Sequence, residues 1–137
     1  MNSGYSKTPL DKKLGLKVGF SCHLYNAPKK YSSWIESLDL SLNINDTLNA
    51  KSKDFIHAFF TSQESFEPLV LKLISALRYD GMLWVSWPKG SSTIKTNLKR
   101  DPIRTYLLAN GLVDVKVAAI DEDWSGLKFI YRLKDRK

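Results

Sequence analysis

Apolar positions along the chain switch period several times, and each switch marks an element. Phe55-Ile56-His57-Ala58-Phe59-Phe60 is apolar on both alternating faces, the pattern of a strand buried between two helical layers. Phe66, Leu69, Val70, Leu73, Ile74 and Leu77 then recur at helical spacing behind Thr61-Ser62-Gln63-Glu64, which reads as a capping box opening at Thr61. Pro68 falls inside that helix and predicts a kinked or separate first turn. Asp80-Gly81 should end the helix, and Met82 to Ser86 returns as the next buried strand.

Weaker signals flank this centre. Thr8-Pro9-Leu10-Asp11 predicts an N-cap at Thr8 with proline in the first helical position, closed by Gly15. Phe20 to Tyr25 reads as a short strand, Asn26-Ala27-Pro28 as a turn, and Tyr31 to Leu38 as a helix facing inward through Trp34, Ile35 and Leu38. Leu42 and Ile44 suggest a brief strand in the polar segment 41–53. Asp101-Pro102 predicts another cap, for a helix with an inward stripe of Ile103, Tyr106 and Leu107 that closes at Asn110-Gly111. Val113, Val115 and Val117, then Leu127, Phe129, Tyr131 and Leu133, alternate as a strand pair joined through 121–126.

Strand-helix alternation followed by such a pair predicts an α/β fold: a three-layer, Rossmann-like, mostly parallel sheet with a C-terminal antiparallel strand. At 137 residues and 43% hydrophobic content the chain is expected to form one domain, with its first seven residues loose. The lone Cys22 in an apolar stretch suits a reducing compartment, and with no signal peptide or membrane span in view the expected location is cytoplasmic.

A formal charge of +7 favours acidic partners, but the basic residues are scattered in pairs along the chain. Nucleic acid is therefore not the expected partner. His23 and His57 lie far apart in apolar runs and read as satisfied strand histidines, so no metal is assigned. Cys22 and His23, being adjacent in a strand, point to opposite faces and make a poor nucleophile and base.

Ligands of parallel α/β sheets bind where the strands' carboxyl ends gather. The loops arriving there bring Asn26, Lys29, Thr61, Trp87, Lys89, Ser91, Asp121, Trp124 and Lys128, which form the candidate ligand-binding set. Trp87, Lys89, Asp121 and Trp124 are expected to share one rim.

Trp84-Val-Ser-Trp-Pro-Lys89 and Trp124-Ser-Gly-Leu-Lys-Phe129, with Asn26-Ala27-Pro28 and Gly111-Leu-Val-Asp-Val-Lys-Val117, resemble a small bacterial family of unknown function over nearly the whole chain. The order of elements also resembles a shortened class I methyltransferase. That second resemblance implies S-adenosylmethionine, yet the turn at Asn26-Ala27-Pro28-Lys29 has no glycine and Pro28 offers no amide. The only acid after the second strand is Asp46. No cofactor is assigned on these grounds. The sequence favours a noncatalytic module holding a small anionic ligand or a protein partner, and the alternative is a divergent S-adenosylmethionine-dependent transferase.

Overall fold

The computed structural model describes residues 9–135. The segment expected to be loose and the expected cap at Thr8 lie outside them. Within them, the elements run α1 (Leu10–Leu14), β1 (Ser21–Tyr25), α2 (Lys29–Glu36), β2 (Asn43–Ile44), β3 (Lys53–Phe59), α3 (Gln63–Ala76), β4 (Leu77–Pro88), α4 (Arg100–Ala109), β5 (Leu112–Ala119) and β6 (Trp124–Tyr131). The strands form one sheet in the order β2-β1-β3-β4-β6-β5. β1 to β4 pair in parallel, and β6 runs antiparallel to both β4 and β5. The three-layer, mostly parallel α/β architecture is thus present, with the antiparallel strand wedged inside the sheet and β5 at its edge.

The alternation of β3 divides its side chains between two cores. Ile56, Ala58 and Phe60 pack with Phe66, Val70 and Leu73 of α3 and Ile103 and Leu107 of α4. Phe55 and Phe59 pack on the other face with Leu14 of α1 and Tyr31 and Ile35 of α2. A strand apolar on both faces is what this sandwiching requires. His57 belongs to the second face, surrounded by aromatic rings.

Element ends depart from the sequence expectation in instructive ways. The cap of α3 is Ser62, whose hydroxyl accepts from the Ser65 N–H at 3.2 Å, one residue later than the capping box places it. Pro68 sits within one continuous helix, with its ring on the exposed side. α1 and α4 begin behind Pro9 and Lys99, neither with a side-chain cap, so Asp101-Pro102 lies inside the first turn of α4. Gly15 does close α1 in the left-handed conformation, at φ 84°.

The largest difference is at the α3–β4 junction. β4 starts at Leu77, opposite Lys53, and the register then slips so that Met82 lies opposite Phe55. The intervening residues take the place of a separate turn. Gly81 permits this, because a Cβ there would stand 2.9 Å from the Lys53 carbonyl oxygen and 3.0 Å from that of Asp54. The β5–β6 connection is shorter than the expected 121–126, since Trp124 to Gly126 are already in β6. Leu133, expected in the last strand, is 79% exposed beyond its end.

Candidate functional site

Because β5 runs parallel to β4, the ends of β1, β3, β4 and β5 gather at one edge, with the turns 26–28, 60–62 and 120–123 and the long loop 89–99 above it. The first turn is made by Asn26 at φ 54°, a left-handed conformation in which asparagine is one of the few residues tolerated besides glycine. Its amide Nδ2 donates to the Phe59 carbonyl at 3.3 Å, tying the β1 and β3 ends together. Pro28 caps α2 and Lys29 opens it, exposed.

The 120–123 turn is locked by Asp121, whose Oδ1 accepts from the N–H groups of Asp123 and Trp124 at 2.8 and 2.9 Å. It meets the 89–99 loop directly. The Lys89 N–H donates to the Asp123 carbonyl at 2.8 Å, and the Ser92 hydroxyl to the Asp123 carboxylate at 2.8 Å. Thr61 joins the same loop through its carbonyl, which accepts from the Thr96 hydroxyl at 2.7 Å. Thr61, Lys89, Ser91 and Asp121 therefore belong to one connected set of loops, and Asn26 and Lys29 stand at the β1 end of the same edge.

Three of the candidate residues do not come together: the two tryptophans lie on opposite sides of the sheet, and Lys128 lies away from its edge. Trp87 is nearly buried in the core under α3 and α4, whereas Trp124 packs in the opposite core, edge-on to Phe59 at 5.1 Å between centroids. Pro88, not Trp87, is opposite Trp124 in the β4–β6 ladder, so the two indoles point away from each other across the sheet. Lys128 lies opposite Trp84 and Lys116, in mid-sheet and well short of the edge. Its amine is pushed down by burial and then by the like charges of Lys116 and Lys17.

Sequence reasoning missed a buried polar chain just beneath the edge. His57 Nδ1 is 2.7 Å from the Tyr31 hydroxyl, and His57 Nε2 is 2.7 Å from the Ser86 hydroxyl. Burial pushes the imidazole down to about 3, so it is neutral, and one hydroxyl donates to the ring while the other accepts from it. Burial likewise raises the Tyr31 phenol well above its ordinary value. The signal available in the sequence was a histidine inside an otherwise apolar strand, though not the identity of its partners. His23 is satisfied too, with Nδ1 at 3.1 Å from the Asn45 carbonyl. Cys22 points into the α1–α2 core, its thiol pushed up to about 12 chiefly by burial.

Two hollows flank this edge. An apolar one of about 190 Å³ lies between α1, α2 and the 120–123 turn, lined by Leu10, Lys30, Tyr31, Trp34, Ile120 and Asp121. A larger, polar one of about 650 Å³ is formed by the end of β4 and the 89–99 loop. Asp46, the acid after β2, has a side chain 97% exposed and stands 3.8 Å from His23 Nδ1.

No family model and no curated protein sequence matches this chain. Solved structures do match. A SAM dependent methyltransferase from Aquifex aeolicus superposes with a TM-score of 0.69 at 14% identity, over 88% of this chain and 87% of that one. The cyclase SpnF gives 0.61 at 9%, covering 89% of this chain and 79% of its own. A TehB-like SAM-dependent methyltransferase from Corynebacterium glutamicum gives 0.60 at 9%, over 95% and 91%. At such identities the likeness concerns the fold, and the chain has the Rossmann-like fold of S-adenosylmethionine-dependent methyltransferases.

Proposed function

We propose that the α1–α2 side of the carboxyl edge binds an S-adenosyl compound and that the protein is a divergent S-adenosylmethionine-dependent transferase. The observation that carries this reading is the β1–α2 turn. The sequence argues against the cofactor because the turn lacks glycine, yet Asn26 makes the left-handed reversal that glycine would make and is pinned to β3 by its own side chain. Beside it, Tyr31 and Trp34 offer flat aromatic walls to a purine ring, Ile120 adds an aliphatic one, and Asp121 supplies a carboxylate at the same hollow. About 190 Å³ is below the ~300–1,000 Å³ of pockets that enclose a whole ligand, so the hollow fits one ring system and the rest of the compound would lie along the open edge. The bound group would supply the transferable carbon, while the protein's residues bind and orient it.

The noncatalytic module favoured by the sequence has two observations on its side. Pro28 cannot donate an amide to a ligand, and Asp46 is turned to solvent. The fold comparisons lend that module no support and are better matched by the transferase. On its two tryptophan-centred motifs we also place the chain in the small bacterial family of unknown function, and from the buried free thiol of Cys22 we infer a cytoplasmic location.

Calorimetry of the full chain with S-adenosylmethionine and S-adenosylhomocysteine tests the transferase reading. Saturable binding that Trp34→Ala weakens by tenfold or more is the expected result. If neither compound binds, the transferase reading fails and the noncatalytic one takes its place.

A further inference from the structure

The polar hollow of about 650 Å³ lies beside the opposite face of the sheet from the apolar one, next to the α3–α4 core that holds Trp87 and Leu98. We propose that it is a binding site for the phosphate group of a small phosphorylated molecule. Three lysines line it, Lys89, Lys95 and Lys99, together with the hydroxyl-bearing Thr93, over a floor that includes Trp87. Its lining contains no carboxylate. Among the described residues, neither Lys95 nor Lys99 is in an ion pair. Of the acids on adjoining segments, Asp123 accepts from the hydroxyl of the lining Ser92 and Glu64 from the Asn97 amide.

The loop is also shaped before any ligand arrives. The Ser92 N–H donates to the Lys89 carbonyl at 3.0 Å, and the Ile94 N–H to the Ser92 hydroxyl at 3.1 Å. Further on, the Leu98 N–H donates to the Thr96 hydroxyl at 2.9 Å, and the Asn97 carbonyl oxygen Oδ1 accepts from the Gln63 N–H at 3.0 Å. Leu98 itself is 1% exposed, anchoring the far wall in the core. A wall held in place loses little freedom on binding, which favours affinity.

The chemistry selects phosphate over a single carboxylate. Ammonium groups bind phosphate as point charges, and a dianion with several acceptor oxygens matches several lysines and the Thr93 hydroxyl better than a monoanion does. The concavity selects a small molecule over nucleic acid. A polyanion needs a basic track, whereas the remaining basic residues are spread along the chain. This assignment does not depend on the adenosyl reading, because the two hollows have no lining residue in common.

The test is calorimetry of the full chain with inorganic phosphate, pyrophosphate and citrate, at ionic strength fixed by sodium chloride. Saturable pyrophosphate binding is expected, weakened at least tenfold in Lys95→Ala/Lys99→Ala and changed less than about twofold in Lys12→Ala/Lys72→Ala, which removes the same charge from exposed positions elsewhere. Lys95→Arg/Lys99→Arg should retain binding, and all variants should keep the parent's thermal transition. Equal weakening in the two alanine pairs would reduce the effect to net charge and overturn the site. Binding of citrate but neither phosphate would overturn the ligand class, as would an oligonucleotide that displaces pyrophosphate with affinity rising with its length.

Discussion

Replacing His57 by glutamine should remove a specific part of the protein's sensitivity to acid. The imidazole is fully buried between two hydroxyls, and burial lowers it from 6.5 to about 3. Between those values the unfolded chain binds a proton at this position and the folded chain does not, so stability is full above about 6.5 and falls as the pH drops toward 3. From pH 7 to pH 5 that linkage amounts to about 2 kcal/mol for a single group with an unfolded value near 6.5. Urea unfolding followed by tryptophan fluorescence at pH 7, 6 and 5 measures it, with Trp84 and Trp124 as buried reporters. At pH 7 the variant will be less stable, because a buried hydroxyl left without a partner costs about 1–3 kcal/mol, and the gap should close as the pH falls. That offset is separate from the slope. Every other group is common to the two proteins and cancels in the comparison. Parent and variant profiles that run parallel from pH 7 to pH 5 would refute the assignment of His57 as a neutral, buried link.

Three further outcomes follow from backbone geometry, each read from urea midpoints. Asn26→Gly should lie within about 1 kcal/mol of the parent, since glycine accepts φ 54° but loses the bond to Phe59, whereas Asn26→Val should cost about 2 kcal/mol. Gly126→Ala should destabilise by about 1–3 kcal/mol, because its Cβ would stand 3.1 Å from Ile120 Cδ1 and from Trp84 Cε3, and 3.2 Å from Ser86 Oγ. Pro68→Ala should stabilise by about 1 kcal/mol or more, restoring the donor missing inside α3 at an exposed position.

The layers were legible because β3 is apolar on two faces and α3 carries a long inward stripe, patterns set by burial alone. Boundaries were less so. Ser62 and Thr61 are both competent caps, and only the path of the chain leaving β3 decides between them. The slip between Lys53 and Met82 depends on how closely two backbones approach, which a single glycine permits and no local pattern announces. Loop order predicts which turns gather above the carboxyl ends of the strands. It could not show that Trp87 and Trp124 fall on opposite sides, because that follows from the phase of β4 against β6. Much of the two tryptophan motifs proves to be packing: Trp84 donates its indole N–H to the Leu14 carbonyl at 2.9 Å, and Gly126 makes room for the same ring.

The position of β6 has a consequence for the order in which the molecule can assemble. Residues 124–131 are synthesised after both β4 and β5, yet they lie between them and supply Leu127, Phe129 and Tyr131 to the interior. While the chain is emerging, β1 to β4 can associate as a parallel half, but β4 keeps a bare hydrogen-bonding edge and β5 has nothing to pair with. At synthesis rates of ~5–20 residues per second, that interval lasts on the order of seconds. A nascent chain of this protein is therefore most open to mispairing just before its last strand arrives, and a truncation before residue 124 would make that state permanent.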